Sequence, residues 1–100
     1  MTTTNTILKL IKEEYLYLSN EFGVERIGVF GSVAKGIEKE DSDIDIVVEL
    51  KRPIGLKFVE IVEYLENLFN KKVDVLTIEG IENIRIKGIA EDIKRNIIYV

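Results

Sequence analysis

Phe30-Gly31-Ser32-Val33-Ala34-Lys35-Gly36, followed after four intervening residues by Asp41-Ser42-Asp43-Ile44-Asp45-Ile46-Val47-Val48, decides the reading of this chain. It joins a glycine-bearing turn to two carboxylates separated by one residue. In a strand, side chains at i and i+2 leave the same face. Asp43 and Asp45 therefore point together, while Ile44 and Ile46 enter the core. Two like charges side by side cost free energy unless a cation sits between them. A hard cation such as Mg²⁺ takes oxygen ligands, keeps some water and shares its shell with substrate phosphates. The stretch outlines a phosphate-handling metal site.

Working outward, 100 residues make a single domain, residues 1–100, with room for one core and no second lobe. With 46% hydrophobic and 32% charged residues and one proline, the composition is that of an ordinary soluble globule without a low-complexity tract. No apolar run approaches a membrane span, and Met1-Thr2-Thr3-Thr4 leads into no signal-peptide pattern, so a cytoplasmic address is expected. Cysteine and histidine are both absent. That removes disulfides, thiolate nucleophiles, imidazole ligands and the commonest general base. Any catalysis must run on carboxylates, hydroxyls, lysines and backbone amides. The net charge of −4, with only scattered lysines and the pairs Lys51-Arg52 and Lys71-Lys72, argues against long DNA or RNA as the primary partner.

Asn5 to Glu21 reads as an amphipathic helix, with Ile7, Ile11, Tyr15, Leu18 and Phe22 at helical spacing, Thr4 or Asn5 as cap and Gly23 as stop. Arg26 to Phe30 is a short strand, Gly31-Ser32 its turn, and Val33 to Gly36 one helical turn. Residues 37–42 form a polar loop before a second strand, Asp43 to Leu50. Leu56 to Asn70 is a second helix, Val73 to Thr77 a third strand and Ile84 to Asn96 a third helix. The fold class is α+β, a small mixed β-sheet with helices packed on one side.

The third strand carries Asp74 between Val73 and Val75. An aspartate amid an apolar strand is expensive to bury without a partner. If this strand lies beside the second, Asp74 reaches the space between Asp43 and Asp45. Three converging carboxylates hold two divalent ions about 3.5–4 Å apart in the usual two-metal arrangement.

Gly31-Ser32, ten residues, then Asp43-Ile44-Asp45, with Asp74 as a third carboxylate, resembles the signature of the DNA polymerase β nucleotidyltransferase superfamily. The short chain, its leading helix and its closing helix before Ile97-Ile98-Tyr99-Val100 look like the minimal nucleotidyltransferases, the MNT half of HEPN–MNT toxin–antitoxin pairs. The resemblance covers nearly the whole chain and implies a polymerase β-like nucleotidyltransferase fold. It implies Mg²⁺-dependent transfer of AMP from ATP to a tyrosine hydroxyl of a HEPN ribonuclease toxin: a protein adenylyltransferase antitoxin.

By that resemblance Asp43, Asp45 and Asp74 are the catalytic, metal-binding residues, with two Mg²⁺ ions expected. Asp74 would serve the ion beside the attacking hydroxyl. Gly31, Ser32, Lys35 and Ser42 form the expected nucleotide-binding set, with backbone N–H and hydroxyl donors for the triphosphate. Many relatives carry arginine where Val33 or Lys35 stands. Lys35 keeps the charge and loses the bidentate fork. A second domain for a small acceptor is not expected, so a partner surface or an oligomer is expected to grip it.

Plainer readings accompany each residue. Without Gly31-Ser32 and Asp74, the aspartate pair would be a solvated strand edge. Ser42 either orients an aspartate or ends a loop. Lys35 and Lys39 either touch phosphate or are solvated loop charges. Lys71-Lys72 complements the end of a helix. Tyr15, Tyr17 and Tyr64 read as core or edge packing residues, and Arg85 and Arg95 either serve a partner surface or are simply exposed. Two competing functions stand beside the enzyme: a module that neutralises its partner by binding, marked by apolar surface near the outer helices, and a nucleotidyltransferase acting on a small molecule or nucleic acid.

Overall fold

The computed structural model describes residues 4–36, 43–84 and 87–100. Helix α1 (Thr4–Phe22) buries Ile7, Ile11, Leu18 and Phe22, the stripe its spacing predicts. It ends at Gly23, whose N–H donates to the Ser19 carbonyl at 3.0 Å. The chain then enters β1 (Val24–Val29) directly, two residues earlier than the sequence suggests. Helix α2 (Gly31–Lys35) begins at the glycine itself and closes at Gly36. Strand β2 (Ile44–Leu50), helix α3 (Lys57–Phe69) and strand β3 (Val73–Thr77) lie where the periodicity places them.

The sheet runs β3-β2-β1 and ends in β4 (Ile98–Tyr99). Strands β1 and β2 are antiparallel, as are β1 and β4, whereas β2 and β3 are parallel. A parallel pair needs a crossover, and α3 supplies it. The mixed sheet and the α+β class are those expected.

Helices α1 and α3 pack on one face of the sheet, as expected, together with Val33 of α2. Ile44, Ile46 and Val48 of β2 join Ile7, Ile11, Leu18, Ile61 and Leu65 in one core on that face. The alternate residue Val47 joins a second core with Phe30 and Ile81, flanked by Leu76, Ala90, Ile93 and Tyr99. That opposite face is covered by α4 (Ile78–Glu82) and α5 (Lys87–Arg95). The single closing helix expected from Ile84 to Asn96 is thus shorter, and another helix precedes it. Thr77 makes the difference: its Oγ1 accepts the Gly80 N–H at 2.9 Å and caps α4, while Ile81 is fully buried.

Strand β4 was not expected. Gly28 makes room for it, because a Cβ there would lie 2.5 Å from the Ile98 carbonyl oxygen. The Arg26 guanidinium lies 4.0 Å over the Tyr99 ring, and the Val100 N–H donates to Ile27 at 2.9 Å. The tyrosines pack as expected. Tyr15 donates to the Glu25 carbonyl at 2.6 Å, and Tyr17 stacks on Tyr64 with centroids 4.9 Å apart. Among the described residues, no helix is long and apolar enough to cross a membrane.

Candidate active site

The site forms where β1 ends and β2 begins. Phe30 is buried and extended, and its N–H donates to the Asp45 carbonyl at 3.0 Å. This bond fixes the last residue before the turn against the strand that carries the aspartates. Gly31 follows with φ +65°, in the left-handed region. A Cβ at Gly31 would sit 2.2 Å from Asp45 Oδ2, so conformation and space both demand glycine. Ser32 is half-buried beside it in the first turn of α2.

Ile44 donates to the Lys72 carbonyl at 3.1 Å, which sets the register of β2 on β3. Asp45 then lies directly opposite Asp74. Neighbouring strands are about 4.8 Å apart, so these carboxylates leave adjacent positions on one face. Asp43 is exposed, immediately before β2, and Asp74 is exposed on β3. Asp45 is the half-buried member. Its pKa is raised from the usual 3.8 to about 6, first by burial, then by the charges of Asp74 and Asp43. The three aspartates thus share one field.

Among the described residues, no three acidic side chains already converge to cage an ion. Asp43, Asp45 and Asp74 form an open, oxygen-only negative surface. Such a surface suits a hard divalent cation that retains water and takes further oxygens from a phosphate. Its shared negative charge, concentrated on a half-buried carboxylate, is what a cation would relieve.

Lys35 ends α2, exposed, with Nζ 3.7 Å from Asp92 Oδ2 on α5. Ser42 lies outside the described residues, as do Lys39 and Arg85. Sequence reading missed one participant. The Thr4 hydroxyl, expected only as a helix cap, donates to the Val33 carbonyl at 2.7 Å and ties the start of α1 to α2. No local signal marks a contact between residues 29 positions apart. A cleft of about 710 Å³, lined by Arg26, Glu49, Phe58 and Thr77 among others, lies towards the far ends of β2 and β3.

The nucleotidyltransferase domain family matches residues 7–100. The protein adenylyltransferase MntA of Thermococcus cleftensis is 40% identical over 101 residues, spanning 100% of this chain and 98% of that protein. A solved structure, provisionally described as a minimal nucleotidyltransferase, shares 31% identity at a TM-score of 0.74, covering 97% of this chain and 95% of that one. A crystal structure of a toxin–antitoxin with AMP-PNP has the same fold at 20% identity and a TM-score of 0.65, covering 98% of this chain and 72% of that chain. With a glycine-serine turn set against strand-borne aspartates, and a match running through nearly all of its length, the chain belongs to the nucleotidyltransferase domain family.

Proposed function

We propose that this nucleotidyltransferase carries AMP from ATP, with Mg²⁺, to a tyrosine hydroxyl of a HEPN ribonuclease toxin, and so acts as a cytoplasmic antitoxin. The observation that carries the reading is Asp45: half-buried, opposite Asp74, two residues from Asp43 and against the Gly31 backbone. That setting fits a metal site. Its donors are all oxygen, and the burial and mutual repulsion of the carboxylates call for positive charge.

Asp43, Asp45 and Asp74 are the residues that would hold two Mg²⁺ ions. Bound there, the metal supplies neutralising charge for the triphosphate and eases deprotonation of the attacking hydroxyl. The turn supplies the other half. Gly31 would offer its backbone N–H while its missing side chain leaves room for Asp45 Oδ2, Ser32 would offer its N–H and hydroxyl, and Lys35 would add a cation. Asp45 would work as an anion, and its raised pKa reflects the burial and like charges that a bound cation would offset.

The acceptor is assigned to a protein because the Thermococcus relative is a protein adenylyltransferase, and a toxin–antitoxin with AMP-PNP shares the fold. The test mixes the chain with Mg²⁺, ATP labelled on the α-phosphate and the product of the neighbouring gene. Label should appear on the partner and vanish with D43N/D45N, whose circular dichroism should stay native. Label retained by that double variant overturns the reading.

Neutralisation by binding alone is the second reading. It draws on the exposed apolar side chains Leu16 of α1 and Leu56 and Val59 at the start of α3. A tight complex that protects without any label transfer would favour it. Label on RNA or on small alcohols would instead point to another acceptor class.

A further inference from the structure

We propose that Asp92 is a built-in competitor of the nucleotide. It occupies Lys35 as a counter-ion that the triphosphate must displace, and so tunes nucleotide affinity without touching the nucleotide. This rests on the reading of Lys35 as a phosphate contact.

Lys35 is the last residue of α2, the helix that begins at Gly31, yet its amine is turned toward α5. Its Nζ lies 3.7 Å from Asp92 Oδ2. The Asp92 carboxylate is held in place for this contact. Asn96 Nδ2 donates to the Asp92 backbone carbonyl at 2.8 Å and to Oδ1 at 3.3 Å, leaving Oδ2 to Lys35. The pair links the two elements across 57 positions of sequence.

Both partners are solvent-exposed, 46% for Lys35 and 61% for Asp92, so the bond is a weak, screened one. A triphosphate carries several charges and accepts short charge-assisted bonds, so it wins the exchange. The competitor still lowers the fraction of chains whose Lys35 is free, and apparent affinity falls by that fraction. Asp92 is thus a positioning residue acting through Lys35, and nucleotide binding breaks a tie between α2 and α5.

The experiment is calorimetric titration of ATP with Mg²⁺ into the full chain and its K35Q, D92N and K35Q/D92N variants. Both positions are exposed, so the variants should fold, as circular dichroism would verify. K35Q should weaken ATP binding. D92N should tighten it about two- to fivefold, the range that an exposed ion pair spans. In the K35Q background, D92N should change nothing.

Unchanged or weaker binding by D92N, beside weakened binding by K35Q, overturns the inference alone. Equal tightening in both backgrounds also overturns it, because Asp92 would then act only by general repulsion of a polyanion. Native ATP affinity in K35Q removes the phosphate role of Lys35 and the inference with it, while the Asp43/Asp45 label test stands apart. No ATP binding by the unaltered chain overturns both.

Discussion

Gly31 and Asp45 are packed so tightly that one methyl group cannot be placed between them; a Cβ at position 31 would meet Asp45 Oδ2 at 2.2 Å. The turn and the half-buried carboxylate therefore form one unit. G31A forces a non-glycine residue into the left-handed region, costing about 1–2 kcal/mol of stability. It also drives Asp45 from its place on the sheet. A displacement of that size near reacting groups lowers activity by roughly a hundredfold. Thermal melting should show the modest loss, and label transfer the large one. G31A with native transfer would separate the turn from the chemistry.

The same carboxylate gives the fold a pH dependence of unusual sign. Asp45 has a folded pKa of about 6 against an ordinary 3.8, so the folded chain holds this proton more tightly than the unfolded chain does. Its contribution is fully favourable below about pH 4, falls as pH rises through the interval to 6, and is lost above it. After discounting for solvent screening, the span is about 1–2 kcal/mol. D45N should thus be more stable than the parent at pH 7, with the gap closing toward pH 4 in paired melting curves. Mg²⁺ at pH 7 should raise the melting temperature of the parent and leave D45N unmoved. A gap that widens toward acid pH would contradict the cause assigned to the shift.

Much of this was legible in the sequence, for identifiable reasons. Strands β2 and β3 and helices α1 and α3 carry strong period-2 or period-3.6 patterns, and Asp43, Asp45 and Asp74 interrupt those patterns where a charge has no reason to be. What escaped depends on contacts between distant residues. β4 is two residues long and exists because Gly28 admits it. Gly80 lowers helix propensity, yet the Thr77 cap and the burial of Ile81 make α4. The contacts of Lys35 with Asp92 and of Thr4 with Val33 join segments with no local mark of their meeting.

Thr4 supplies a third prediction. Its hydroxyl bonds a carbonyl of α2, the helix whose first residues are proposed to receive phosphate. T4V keeps the shape and removes the donor, at a cost of about 0.5–1.5 kcal/mol. The slackened turn should raise KM for ATP several-fold with a smaller change in kcat. T4S keeps the donor and should restore KM. Equal values for T4V and T4S would mean that the hydroxyl does not position the turn.

The sheet edge offers the last test. Gly28 faces Tyr99, and any larger side chain there strikes the Ile98 carbonyl. G28V should overpack the contact, costing about 1–3 kcal/mol, and push β4 off β1. With β4 gone, the Val100 N–H loses its 2.9 Å bond to Ile27, and Arg26 loses the Tyr99 ring. In a domain of this size each lost kcal/mol lowers the melting temperature by about 4–8 °C. Amide exchange at Val100 should become fast, while the amide of Ile46, on the inner strand β2, stays protected. Native protection at Val100 in G28V would show that β4 is held by something other than the room Gly28 leaves.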